Sequence, residues 1–377
     1  MPRLSESERI DWLQLCRSGG VGPRTFHKLL ERFGTARHAY EELPRLMREA
    51  GGERWRRCRR DEAEAELAAL QALGAYLIAR IEPDYPARLA EIADPPPLLT
   101  VLGDPALLAA PAVAIIGARN ASAHGRMLAK TLGQELAEAG LVVVSGLARG
   151  IDTAAHEGAL AGGATVAVIA SGIDVAYPPD NAELMARIAA RGAVVCERPP
   201  GAVPQARHFP RRNRIIAGLS LGVVVVEAAP QSGSLITARL AAEQGREVMA
   251  VPGSPLDPRH RGTNQLLRDG ATLVESAADV RAALGAPGAV PAPIRRPSRH
   301  PPTASAPSSA PRVLAPPPPG DLVGRLQERL GVEPLLVDEL IRQCHATSSE
   351  VQQALLELEL EGRIERHPGN RVSRASF

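Results

Sequence analysis

Aromatic residues make up only 3% of the 377-residue chain, lysine occurs only at Lys28 and Lys130, and the cysteines number four. Cys16, Cys58, Cys196 and Cys344 stand far apart and form no CxxC or Cys/His cluster. That spacing argues against a zinc site and a disulfide framework, and it suits a reducing compartment. No stretch approaches the roughly 20 apolar residues of a membrane span, and the N-terminus lacks the basic segment, apolar run and small-residue cleavage site of a secretory leader. A cytoplasmic protein without membrane attachment is expected. An excess of one charge is missing too: 44 basic residues face 42 acidic ones, a formal net charge of +2. The overall charge therefore announces no polyanionic partner, and any such partner has to be argued locally. The basic residues present are almost all arginine, which suits bidentate phosphate contacts, although a biased genome composition gives the same result.

The length implies two or three domains. Residues 1–78 read as short helices broken at Gly19-Gly20-Val21-Gly22-Pro23, a small helical domain. Across 79–285 the pattern becomes short apolar runs alternating with helical segments: VAIIG (113–117), LVVVSG (141–146), TVAVIASG (165–172), AVVCE (193–197), VVVVEA (223–228), EVMAVPG (247–253) and ATLVE (271–275). Strands this apolar are buried on both sides, so the fold class is α/β with a parallel sheet covered by helices on both faces. Residues 286–320 are rich in Pro, Ala and Ser and cannot supply a core, which makes them a linker. Residues 321–377 recover helical periodicity and close with a hairpin pattern, the layout of a winged helix.

A strand that ends in glycine and turns into a helix leaves backbone N–H groups and the positive end of a helix dipole at the sheet's carboxyl edge, an anion site by construction. Four such corners occur: Gly117-Ala118-Arg119-Asn120-Ala121-Ser122, Ser145-Gly146-Leu147-Ala148-Arg149-Gly150, Ser171-Gly172 and Ser232-Gly233-Ser234. One corner alone would merely connect strand to helix. Several together, two carrying arginine, point to a phosphate-lined surface. A dinucleotide enzyme would need an acidic residue about 20 positions past its glycine motif. Here the second strand ends at Ser145 with no carboxylate, the first corner departs from GxGxxG, and no GxxxxGK(S/T) loop occurs. Asp152 and His156 lie four apart on one helical face, an acid/base or metal pair in principle; the plainer reading is that Asp152 caps its helix while His156 bonds locally. Glu197 and Glu227 close their strands where a carboxylate can orient arginines. No nucleophile has a neighbouring base, and neither cofactor nor metal is expected.

The sharpest local feature is Gln205-Ala206-Arg207-His208-Phe209-Pro210-Arg211-Arg212-Asn213-Arg214. Four arginines surround one phenylalanine, and Pro210 should hold Phe209 extended. Cations for a backbone and a ring for a base are what single-strand binding requires. The alternative is a Phe209 plugged into the core, with the arginines forming a solvated helix start.

Tyr85-Pro86, DPPPLLTVLGD (94–104), VAIIGARNAS, VVVSGLARGIDTAAHEGAL, FPRRNRIIAGLS, VVVVEAAPQSGSLITARLAAEQGREVMAVPGS and GTNQLLRDGA follow one another in this order. Together they resemble the DNA-processing protein A (DprA/Smf) family over roughly residues 80–280. The resemblance implies an extended Rossmann-like doubly wound sheet that binds single-stranded DNA without sequence preference, dimerises, and loads a RecA-type recombinase in natural transformation, with no catalysis of its own. It makes Arg119 a phosphate ligand and Phe209 a base-stacking partner. Arg211, Arg212, Asn213 and Arg214 belong to the same motif, the last two with a structural role as the competing reading, and Arg207 stands beside it. Gly117, Ser122, Gly146, Arg149, Ser232 and Gly233 complete the expected interface. Cys196 and Ala118 depart from the family pattern without removing charge, and the family's groove lysines have no clear counterparts. Gly20-Val21-Gly22-Pro23 resembles a helix-hairpin-helix turn of a SAM-like domain. The expected recognition helix of the winged-helix segment is rich in glutamate and ends in Arg363, which suits protein docking better than DNA. The rival readings are a nucleotide-binding enzyme of phosphoribohydrolase-like type and a duplex-DNA regulator acting through the winged helix.

Overall fold

The computed structural model describes residues 3–49 and 56–285, and beyond them 326, 335–337, 340, 351, 354–355, 358–359, 363–367 and 371–374. Met1–Arg295 and Arg296–Phe377 form two compact units. The Pro/Ala-rich linker expected at 286–320 lies outside the described residues.

The first unit begins with α1 (Glu6–Arg17), α2 (Pro23–Phe33), α3 (Ala36–Glu49) and α4 (Arg60–Ala72). A reciprocal capping box between Ser5 and Glu8 starts α1, satisfying amides that the helix itself cannot. Leu13, Phe26, Leu43 and Leu70 are fully or almost fully buried among these helices. The same apolar cluster continues through Leu77, Leu98, Leu147, Ile169 and Val194, so the helices share a core with the sheet. Polar ties reinforce the join: Arg9 pairs with Glu82 at 2.5 Å, Arg17 donates to the Glu197 carbonyl at 3.2 Å, and His27 Nε2 donates to the Pro95 carbonyl at 3.0 Å.

The sheet has nine strands: β1 (Tyr76–Ala79), β2 (Leu98–Gly103), β3 (Ala112–Ile116), β4 (Val142–Ser145), β5 (Thr165–Val168), β6 (Ala193–Cys196), β7 (Gly222–Val225), β8 (Glu247–Ala250) and β9 (Thr272–Leu273). Their spatial order is β1-β2-β6-β5-β4-β3-β7-β8-β9. The seven strands expected from the apolar runs are β3 to β9, all mutually parallel. β1 and β2 extend the sheet antiparallel beyond β6 and were not read from the sequence. β1 is only four residues long, and three prolines immediately precede β2, which masks it as a turn. The expectation of two-sided burial fails at the far edge, where Leu273 of β9 is 52% exposed.

Between the strands run α5 (Ala87–Ala90), α6 (Ala123–Glu138), α7 (Ile151–Gly162), α8 (Ala182–Arg191), α9 (His208–Leu219), α10 (Gly233–Glu243), α11 (Arg261–Arg268) and α12 (Ala277–Ala283). Ile215, Ile216, Ala238 and Ala241 of α9 and α10 cover one face of the sheet. Leu132, Leu136, Ala155, Ala159 and Val280 of α6, α7 and α12 cover the other. The chain moves outward from β3 through β4 and β5 to β6, then returns to lay β7 on the opposite side of β3. The β3/β7 junction is therefore a topological switch point, where helices diverge and leave a crevice at the carboxyl ends of the strands.

In the second unit, β10 (Leu335–Leu336), β11 (Ile364–His367) and β12 (Arg371–Arg374) form an antiparallel sheet of order β10-β12-β11. Val351, Ala354, Leu355 and Leu358, spaced as one helical face, are buried with Leu326, Leu340, Ile364 and Val372. Helical segments plus a β11–β12 hairpin make a winged helix. Among the described residues no helix is long and apolar enough to cross a membrane.

Candidate functional site

The switch-point crevice is a groove of about 610 Å³. The β3–α6 corner contributes Gly117 to Asn120, α9 contributes Phe209, Arg212, Asn213 and Ile216, and the α10 start contributes Ser232, Gly233 and Ser234. Arg119 is exposed, and its guanidinium lies 5.1 Å from the centre of the Phe209 ring. Phe209 is half-buried and packs at 5.6 Å, tilted by 56°, against Tyr177, which is 45% exposed. The phenylalanine is thus neither a core plug nor a lone surface ring. It is the middle member of a guanidinium–ring–ring cluster at the groove wall, its ring tilted against that of Tyr177. Tyr177 was missed in the sequence because it sits in the β5–α8 connection, with no basic residue next to it to mark it.

Phe209 lies inside α9, which corrects the extended conformation expected before Pro210. Proline is tolerated in a first helical turn because the amide it lacks has no intrahelical acceptor there. Helical geometry also divides the arginine segment, since each residue advances about 100° around the axis. Phe209, Arg212, Asn213 and Ile216 share the groove face. His208, Arg211 and Arg214, with Arg212, line a separate recess against α2. The single cradle expected from the four arginines is therefore two grooves, one on each side of α9.

Around the two grooves, several of the cationic and amide groups already have partners. Arg212 is 5% exposed and donates from Nη1 to the Gly146 carbonyl at 2.6 Å and to the Val168 carbonyl. Burial, followed by its neighbour Arg119, pushes its pKa down to about 10 against the pull of Asp152, so it stays charged at neutral pH. Arg214, also 5% exposed, is held by Glu197 at 2.5 Å and Asp94 at 3.4 Å. Asn213 is buried and donates to the Gly233 carbonyl at 3.4 Å. Arg149 is exposed, pairs with Asp180 at 2.7 Å and does not line the groove. Arg211 is exposed on α9, and Arg207 is exposed at the position just before the helix.

The glycine corners are less open than the sequence suggests. At the first, Glu227, fully buried, accepts from the Ser122 amide at 3.0 Å and from the Ser122 hydroxyl, and Ser122 caps α6 through Gly125 N at 2.9 Å. Glu227 thus closes the α6 terminus instead of orienting an arginine; Glu197 does orient one, Arg214. At the second corner Asp152 does not cap its own helix. Its carboxylate accepts from Gly146 N at 3.1 Å and Ala148 N at 3.4 Å, and also from the Gly117 amide. Burial raises its pKa while Arg212 and these amides oppose the rise. Gly150 at this turn has φ +81°, and a side chain there would strike the Arg119 carbonyl at 2.6 Å, so only glycine fits. At the third corner Gly172 N donates to Ala202 O at 2.8 Å, outside the groove. The α10 terminus is the corner with the fewest internal claims. Only the Ser232 hydroxyl caps it, at 3.3 Å from Ser234 N, no carboxylate stands in its first turn, and open space lies above Gly233.

His156 does not bond locally. It is fully buried, and its Nδ1–H donates at 2.7 Å to Thr165 Oγ1, whose own proton goes to Val143 O. Burial, then Arg212, lowers its pKa to about 3. With Asp152 saturated by amides and His156 sealed, neither is placed to transfer a substrate proton. The chemistry the groove offers is recognition: an exposed cation, two aromatic rings in contact, and an uncharged helix start for an anion.

Residues 76–285 match the family model described as DNA recombination-mediator protein A, residues 6–69 the DprA-like N-terminal HHH domain, and residues 301–370 the DprA winged helix domain. Protein Smf of Synechocystis is 33% identical over 403 aligned positions, covering 98% of this chain and all of the relative. The crystal structure of DNA processing protein A from Streptococcus pneumoniae is similar at 37% identity and a TM-score of 0.62, over 74% of this chain and 98% of that one. The structure of DNA processing protein A from Helicobacter pylori, described for its single-stranded DNA binding mode, is similar at 32% identity and a TM-score of 0.51, over 56% of this chain and 95% of that one.

Proposed function

The chain belongs to the DNA recombination-mediator protein A (DprA/Smf) family, and from that premise we propose that it binds single-stranded DNA without sequence preference in the switch-point groove. On this reading it protects the strand and hands it to a RecA-type recombinase during DNA uptake and recombination, as a cytoplasmic homodimer that performs no catalysis. The observation that carries the reading is the cluster of Arg119, Phe209 and Tyr177, a cation beside two partly exposed rings. Every base has a π-face, so a ring platform beside a cation holds any sequence, while a strand already paired in a duplex cannot offer its faces. The single-stranded DNA binding described for the Helicobacter pylori relative supports the same ligand. The family's description as a recombination mediator supports the hand-over.

A competition of labelled oligothymidylate against unlabelled single strand, duplex and mononucleotide, run at two salt concentrations, tests the reading. Single strand of any sequence should compete well, duplex weakly and mononucleotide hardly at all. Saturable displacement by a mononucleotide would sink it and favour a nucleotide-binding enzyme.

A further inference from the structure

On the other side of α9, a second recess of about 520 Å³ lies between the helical segment and the sheet. Six arginines and two carboxylates line it, and both carboxylates, Asp94 and Glu197, are engaged by Arg214. Arg24, Arg198 and Arg211 also line it, and among the described residues none of the three side chains has an ion-pair or hydrogen-bond partner. Burial and then the neighbouring Arg17 lower the pKa of Arg198; Glu197 opposes the fall, and Arg211 and Arg207 add to it, a sign that cations outnumber carboxylates around this side chain. Arg198 Nε and Arg214 Nη1 are buried polar atoms without an acceptor. Both are N–H donors that an anion in the recess can pair.

The start of α2 opens into the same recess. Gly22 and Pro23 begin this eleven-residue helix with no side-chain cap and no acidic residue in its first turn. Positive helix end, free guanidiniums and unpartnered N–H groups all select an anion. The two grooves are not independent, because Arg212 lines both and Phe209 and Arg211 stand two residues apart on α9.

We infer that this recess is a second phosphate-binding subsite for the same single strand: the DNA leaves the Phe209 platform, crosses the first turn of α9, and sets its backbone between Arg211, Arg198, Arg24 and the start of α2. The inference rests on the function proposed above. It makes the helical segment part of the DNA-binding surface, and it makes the footprint longer than the switch-point groove alone.

The test compares full-length protein with its Arg24→Ala/Arg198→Ala variant, using labelled oligothymidylates of about 5 and about 20 nucleotides, within and beyond one small binding site. Each lost phosphate contact should lower the slope of log affinity against log salt by about 0.7. The double variant should therefore lose about 1.4 in slope on the long strand and nothing on the short one. Equal slopes for variant and parent on the long strand, or equal losses at both lengths, would overturn the inference. Should the double variant fail to fold, the exposed Arg24→Glu change makes the same comparison, with weakened long-strand binding expected and unchanged binding counting against the subsite. An Arg119→Ala control separates the two readings: if it leaves short-strand binding intact, the switch-point reading has failed; if it weakens that binding while the double variant behaves like the parent, only the second subsite has.

Discussion

Phe209→Ala removes the central member of the cluster that the proposed function depends on. The parent ring is half-buried, with Tyr177 on one side and the Arg119 guanidinium 5.1 Å from its centre. A base stacked on a protein ring contributes about 1–3 kcal/mol by alanine substitution, which converts to a roughly 5- to 150-fold rise in Kd. The cation–π contact that holds Arg119 in place adds about 0.5–1 kcal/mol at an exposed site, so the upper half of that range is expected. Folding should suffer less, because truncating a fully buried phenylalanine costs about 3–5 kcal/mol and this ring is not packed into any of the core clusters. Fluorescence anisotropy on oligothymidylate measures the first quantity and urea denaturation the second. A variant that binds like the parent but loses core-sized stability would refute the argument, since the ring would then be packing and not platform.

Arg119→Ala should leave stability within about 0.5 kcal/mol, as expected for an exposed side chain, and flatten the salt dependence of DNA binding by about 0.7 in log–log slope, which a salt titration reads directly. Arg214→Ala should cost about 1.5–3 kcal/mol of stability in denaturation experiments, because it removes a buried guanidinium and its charge-assisted hydrogen bond to Glu197, while the carboxylates left behind, Glu197 and Asp94, are both partly open to water. The pH dependence of stability should carry the signature of His156. Its folded pKa of about 3 lies below the ordinary 6.5, so between these values the unfolded chain holds the extra proton and stability falls as pH falls, by up to about 1.4 kcal/mol per pH unit. His156→Asn should remove that one-proton contribution to the slope, seen as a flatter pH profile of the denaturation midpoint.

Much of this molecule was legible in the chain. Seven runs of branched apolar residues became the seven parallel strands, because a strand covered on both faces has no place for polar side chains. The glycine corners fell at the carboxyl edge where strand meets helix, and Arg119 and Phe209 met in one groove. β1 and β2 were hidden because antiparallel edge strands of four and six residues, the second behind three prolines, carry little periodic signal.

What the sequence by itself determined was the set of elements, since periodicity, caps and turn residues act over a few positions. Only the tertiary structure decided which polar groups were left for a ligand. Glu227 reaches Ser122 across 105 positions, Arg212 reaches Gly146 across 66, and Arg214 and Arg211, three apart, end up buried and exposed. A guanidinium looks the same in sequence whether it faces solvent or a carbonyl, and the side of α9 pressed against the sheet is chosen by packing between segments far apart in the chain. Burial then requires every enclosed charge to find a partner, and those that need not are the ones free for an anionic ligand.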